Sequence, residues 1–431
     1  MDEEIFDVIV VGGGIAGLVC AYQLAQKGKE VVLIERGMEA GAKNLSGGVF
    51  YTRIMEEVFP NFINEAPVER HITRNIVSFL NPTSSVNIDY WDHRLEDPVN
   101  AVTVLRAKLD AWLAEKCEEA GVMIMPGVRV DSLIKEGKQY VGVKADGDEL
   151  NARVVVLAEG VNSFLAQKEG IRPKQPLKHL AVGVKSVIGL PRKVIEDRFR
   201  VKNNEGVAYA IVGDCTQTVA GGGFLYTNAE SVSLGVVLQL ESMKKKGLNS
   251  IEVHDYFLKH PAIAPLIAKG ELLEYGCHMT IEDGPAMVAQ DIARPGLLII
   301  GDAAGFTINT GLTIRGMDFA AGTGIAAAKI INNSFENKDF SQSAMDRYRS
   351  ELNKNWVGQD IKTYKRTPSF LETSRMYEEY GKLLADIFFN IYNHNLTPRK
   401  RLISVAKGVF RDSDIKMKSL IRDAFVGVKS L

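Results

Sequence analysis

Residues 6–11 form an apolar, β-branched run, the pattern of a parallel strand buried on both faces. A helix is predicted over about 15–28, with Gly28 as its stop, and a second strand over Glu30–Glu35. Another helix opens at Arg106 and runs to about Ala120, and Gly127–Val130 reads as a strand start. Val154–Leu157 is a further buried strand, closed by the acid–glycine turn Glu159–Gly160. Leu297–Gly301 repeats the short apolar strand, and a long helix of small residues is expected from about Thr313 to Asn332. Between these pieces the pattern changes. Residues 166–274 alternate in strand fashion, as in Val182–Val187, Val207–Val212 and Val232–Leu240, with Pro and Gly between them. From Phe340 onward the pattern is helical, charged and aromatic, broken at Pro368 and Pro398.

This alternation predicts an α/β protein with a Rossmann-like nucleotide-binding domain made of 1–75, 100–165 and 275–335. A mostly antiparallel β-sheet domain of 76–99 and 166–274 covers it, and 336–431 forms a helical C-terminal region. The 431 residues are 46% hydrophobic and 24% charged, ordinary for a globular protein, and the net charge of −1 implies no nucleic acid or other polyanion as partner. Four scattered cysteines fit a reducing compartment. No leader is expected before the first strand, and no apolar run approaches the roughly 20 residues that span a bilayer.

The first candidate for chemistry is Gly12-Gly13-Gly14-Ile15-Ala16-Gly17, between the first strand and its helix. Gly12 allows the tight turn, Gly14 lets backbone approach a pyrophosphate, and Gly17 lets the helix pack on the sheet. The helix aims its N-terminal amides at the phosphates. Glu35 ends the next strand, where an acid accepts hydrogen bonds from ribose hydroxyls and repels a 2′-phosphate. The pattern fits NAD and FAD alike. The second candidate is Gly301-Asp302-Ala303-Ala304-Gly305 at the end of a strand, where ligands of open α/β sheets bind. Asp302 there suits a ribityl hydroxyl, and a helix start near Thr313 suits negative charge on a reduced flavin. Gly316, Ala320 and Gly324 recur on one helix face and permit close packing. Together the two motifs fit the two ends of FAD and an electron-transferring protein.

The pair resembles the p-hydroxybenzoate-hydroxylase-like branch of FAD proteins. Gly221-Gly222-Gly223-Phe224-Leu225-Tyr226, Val232–Val237, His260–Ile267 and Leu273–Gly276 resemble the electron-transfer-flavoprotein:quinone oxidoreductase family in order and spacing. Lys43-Asn44 with Gly47-Gly48, and Thr313–Asp318, are similar to its FixC-type subunit. The resemblance implies FAD contacts at Gly12, Gly14, Ile15, Ala16, Gly17, Glu35, Arg36, Gly47, Arg106, Val130, Asp302, Gly311, Leu312 and Thr313, with the flavin carrying the chemistry. It places Gly221 and Gly222 beside a quinone head group. The larger family members carry a Tyr just before these glycines, where Ala220 stands here.

Those members also carry a four-cysteine iron–sulfur cluster. Cys20, Cys117, Cys215 and Cys277 have neither cluster nor zinc spacing, and the seven histidines show no metal-ligand spacing. The resemblance therefore implies a separate small ferredoxin-like subunit, beside electron-transfer-flavoprotein alpha and beta subunits. In that complex, electrons from NADH are bifurcated between a quinone (menaquinone or ubiquinone) and a low-potential ferredoxin. The expected place is the cytoplasm, peripheral on the inner face of the cytoplasmic membrane. Nine Lys/Arg within 396–431, densest at Arg399-Lys400-Arg401 and interleaved with Leu402, Ile403, Val405 and Phe410, could meet anionic lipid, a partner, or only solvent. A geranylgeranyl-reductase-like enzyme, a flavin monooxygenase and a flavin-free assembly subunit share parts of this pattern.

Overall fold

The computed structural model describes residues 5–42, 47–394 and 396–431, so Lys43 and Asn44 lie outside the described residues. Strand Ile5–Val11 is flanked in parallel by Val31–Glu35 and Asp148–Leu157. Met123–Pro126 extends the sheet beyond the former and Leu297–Ile299 beyond the latter, both again parallel. Val8, Ile9 and Val10 are fully buried, as the unbroken apolar run requires. A hairpin of Val130–Glu136 and Gln139–Ala145 continues from Asp148–Leu157.

Helix Ile15–Ala25 packs between Arg106–Glu119 and Met317–Asn337, which is why it is apolar almost all round. The stripe of small residues has a purpose here: a Cβ on Gly324 would lie 2.6 Å from the Ala16 carbonyl oxygen. The long helix begins at Met317, four residues later than its pattern suggests. Ile308–Asn309 pairs with Ile314–Arg315, and between them Thr310 Oγ1 accepts from the Thr313 amide at 2.9 Å. A hydroxyl that captures a backbone amide competes with helix and wins a turn. Thr313 is therefore not at a helix N-terminus, and the dipole expected there belongs at Met317.

Among the described residues, the second sheet has nine strands and curls over the first. Its path runs Glu271–Ile281, Leu180–Gly189, Ser231–Gln239, Gly221–Thr227, Glu205–Gly213, Val68–Asn81, Ala101–Val104, Gly48–Tyr51, with Ser84–Trp91 hydrogen-bonded to Val68–Asn81. All pairings are antiparallel except Glu205–Gly213 with Val68–Asn81. Arg70, 1% exposed, ties the far end together by donating to the carbonyls of Asn203, Glu205, Asn228 and Ala229. Helices Gln342–Lys354 and Trp356–Thr363 pack on the long helix. The last helices, Tyr380–Tyr392, Leu402–Asp412 and Met417–Ser430, leave large apolar residues exposed, among them Phe389, Leu402, Ile403 and Val428. Among the described residues, no helix is long and apolar enough to cross a membrane.

Candidate functional site

A cavity of about 730 Å³ lies where the strand ends of the first sheet meet the second sheet. Its floor is the glycine turn. Gly12 has φ +113°, and a Cβ there would sit 2.3 Å from the Ala158 carbonyl oxygen, so only glycine fits. Gly17 is equally constrained, with a Cβ 2.0 Å from the Gly12 oxygen. Gly14 differs. Among the described residues, a Cβ there would meet only the Arg106 Nη2, at 3.8 Å, and its side faces the open cavity. Glu35 anchors the turn by accepting from the Gly13 amide at 2.8 Å and the Gly37 amide at 2.5 Å. A carboxylate has about four acceptor positions, so Glu35 keeps capacity for a ligand.

Arg106 opens its helix and forks onto Asp110, while its face also lines the cavity. Burial disfavours its charge, but Asp110 and Asp302 outweigh burial and hold its pKa above the usual value. Asp302 sits in a turn at the end of Leu297–Ile299 and accepts from the Thr307 hydroxyl at 3.1 Å. Burial raises its pKa, opposed by Thr307, Arg106 and His278. The acid–glycine turn after Leu157 has a structural explanation: Glu159 accepts from the amides of Leu165 and Ala166 at 2.8 and 3.1 Å.

The cavity wall thus brings together Gly12, Gly14, Ile15, Ala16, Glu35 and Arg36 from the first motif region. Gly47, Arg106, Val130 and Asp302 join them from distant parts of the chain. Gly17 lies behind the wall as a packing glycine. Gly311, Leu312 and Thr313 are not among the lining residues; Thr307, Gly316, Met317 and Ala320 line that side instead. Leu312 is 58% exposed. Gly221 and Gly222 also stand off the cavity, paired with Leu238 and with Val237, which does line it. Gly221 has φ +146°, and a Cβ there would lie 1.9 Å from the Val237 oxygen, so sheet packing alone requires that glycine.

Sequence reasoning missed the second-sheet wall: Lys185, Phe224, Tyr226, Val237 and His278. Lys185 was visible in principle as one cation in the apolar strand Leu180–Gly189. Open backbone at Gly14, a carboxylate at each of two strand ends and the Arg106 guanidinium form a site that fits a dinucleotide with anionic phosphates and polyhydroxyl segments.

A family profile described as FAD dependent oxidoreductase matches residues 7–71 and 99–330. The chain is 41% identical, over the full length of both, to a probable electron transfer flavoprotein-quinone oxidoreductase, YdiS of Escherichia coli K12. It is also 41% identical, again over the full length of both, to the protein FixC of Salmonella typhi. Among solved structures, a geranylgeranyl bacteriochlorophyll reductase-like protein of Thermoplasma acidophilum aligns with TM-score 0.73 at 18% identity, covering 99% of this chain and 100% of that one. A flavin-dependent brominase aligns with TM-score 0.63 at 16% identity, covering 98% of each. At such identities these two establish the fold.

Proposed function

The chain belongs to the FAD-dependent oxidoreductase family, within the electron transfer flavoprotein-quinone oxidoreductase group that holds YdiS and FixC, and on that footing we propose that it passes electrons from an electron-transfer flavoprotein to a quinone. It is an oxidoreductase that binds FAD. The observation that carries the reading is one cavity in which Gly14, Glu35, Arg106 and Asp302 converge beneath the second sheet.

When bound, FAD supplies the electron-accepting and electron-donating chemistry. The chain's residues bind and orient it. Glu35 accepts from the adenosine ribose hydroxyls. The Gly14 backbone and the start of helix Ile15–Ala25 hold the phosphates, with Arg106 beside them. Asp302 takes a ribityl hydroxyl. The second sheet excludes water from the ring side. No side-chain general base is assigned, because the reaction needs position and potential more than proton abstraction.

The partners proposed are electron-transfer-flavoprotein alpha and beta subunits, a quinone of the menaquinone or ubiquinone type, and a small ferredoxin-like iron–sulfur subunit. Together they would oxidise NADH and bifurcate its electrons. Supporting the separate cluster subunit, Cys20 and Cys117 are buried in the core of the first sheet, Cys215 is buried in that of the second, and Cys277 is exposed; burial pushes the Cys117 and Cys215 thiols up to about 12. Supporting a peripheral position on the inner membrane face, exposed Leu402 and Ile403 follow Arg399-Lys400-Arg401 directly.

The test is to co-express the chain with flavoprotein and ferredoxin-like subunits, measure its flavin, and follow NADH-driven reduction of a soluble quinone analogue. One FAD per chain and quinone reduction dependent on the flavoprotein are expected. Flavin-loaded protein that exchanges no electrons with any flavoprotein sinks the proposal.

A further inference from the structure

Strand Leu180–Gly189 runs between Ser231–Gln239 and Glu271–Ile281 and is mostly apolar. At Lys185 an ammonium interrupts it, and this side chain lines the cavity. Its partners across the two neighbouring strands are Gly235 and Gly276, so no side chain stands directly opposite it on either strand. The ammonium donates to the Gly47 carbonyl and lies 5.3 Å from the centre of the Phe224 ring. Burial and the nearby Arg106 push its pKa down to about 8, against the attraction of Glu274. Two cations facing one low-dielectric cavity cost free energy unless an anion joins them. Arg106 already shares its charge with Asp110; Lys185 is held by a neutral carbonyl and a ring.

The dinucleotide end of the cavity is defined by Glu35, Gly14 and Arg106, which leaves the second-sheet wall for the flavin end. There Asp302, an anion on the first-sheet side, opposes any negative charge gained on reduction. Lys185 adds a cation on the second-sheet side of the same cavity. We infer that Lys185 faces the flavin end of the cavity, favours the negative charge that reduction adds there, and so raises the reduction potential of the bound cofactor. This rests on the proposed seat of FAD in this cavity, and is independent of which partners deliver or accept the electrons.

The experiment measures two quantities on purified Lys185→Met and Lys185→Arg proteins: the midpoint potential of bound FAD against reference dyes, and the affinity of the apoprotein for FAD. Lys185→Met should lower the potential by an amount equal to at least a tenfold shift in the two-electron equilibrium, about 30 mV, with little change in FAD affinity. Lys185→Arg should restore most of it. Lys185→Gln, which keeps a donor for the Gly47 carbonyl, replaces Lys185→Met if that variant does not fold. An unchanged potential with FAD bound overturns the inference. So does a tenfold loss of affinity with unchanged potential, which would make Lys185 a phosphate ligand. Gly14→Val is measured alongside. If it keeps stoichiometric FAD, the seat of the cofactor is wrong and the inference falls with it. If it loses FAD while Lys185→Met leaves the potential unchanged, the inference about Lys185 alone is overturned.

Discussion

Arg106 and Asp110 form a two-bond fork one helical turn apart, Nε to Oδ1 at 2.8 Å and Nη2 to Oδ2 at 2.7 Å, with Asp110 wholly buried. The fork fixes a guanidinium at the cavity wall in one orientation. Removing one member of such a pair leaves the other's charge uncompensated, at a cost of roughly 3 kcal/mol or more. Asp110→Ala should therefore lower unfolding free energy in urea by about that amount, and should release FAD on dilution. A variant with wild-type stability and flavin content would show that Arg106 is held by other means.

Two glycines three residues apart in the turn region, Gly14 and Gly17, separate folding from binding. Gly17→Ala drives a Cβ to 2.0 Å from the Gly12 oxygen, whereas a Cβ on Gly14 has open space to within 3.8 Å. Gly17→Ala should lose on the order of 2 kcal/mol or more through overpacking. Gly14→Val should keep a near-native melting temperature and lose bound flavin. Thermal melts paired with flavin absorbance distinguish the two; equal melting temperatures would contradict this account of Gly17.

The nucleotide cradle was legible because its signals are local. A buried parallel strand reads as an apolar run, and the glycines stand where backbone must approach backbone. The second sheet was legible only in part. Gly48–Tyr51 and Ala101–Val104 are four residues each, and the residues between them include another long strand of the same sheet. So short a run has no measurable period. The start of the long helix was hidden by the Thr310 turn, whose side-chain hydrogen bond outweighs the helical pattern after Leu312. Lys185 and Arg70 were read past for a common reason: sequence polarity predicts a surface, while their function depends on carbonyls and rings brought from far along the chain.

Glu282 makes stability depend on pH. It is 6% exposed, its Oε2 has no hydrogen-bond partner among the described residues, and its amide donates to the His179 carbonyl. Burial, with Glu372 and Asp283 adding repulsion, pushes its carboxyl up to about 7. A carboxyl raised above its unfolded value binds its proton more tightly in the folded state. Stability therefore falls as pH rises from about 4.5 to about 7 and then levels, by up to about 3 kcal/mol in total. Glu282→Gln removes the penalty. It should raise the melting temperature at pH 8 and leave it nearly unchanged at pH 4.5. A gain of the same size at both pH values would mean that Glu282 does not titrate in this window.

The C-terminal helices give the membrane proposal its own test. Helix Leu402–Asp412 has Leu402 and Ile403 at 63% and 62% exposure, and Arg399, Lys400 and Arg401 precede it. Apolar side chains beside basic ones suit an anionic bilayer surface, where each cation contributes about 1 kcal/mol within a Debye length. The chain should sediment with vesicles containing phosphatidylglycerol and much less with neutral phosphatidylcholine, and added salt should weaken the binding. Combining Arg399→Glu, Lys400→Glu and Arg401→Glu should weaken it by roughly a hundredfold or more, the equivalent of losing three such contributions. Leu402→Ser with Ile403→Ser should weaken it as well, with the salt dependence retained. If the charge variant binds vesicles like the wild type while losing affinity for a partner subunit, this surface docks protein and not lipid.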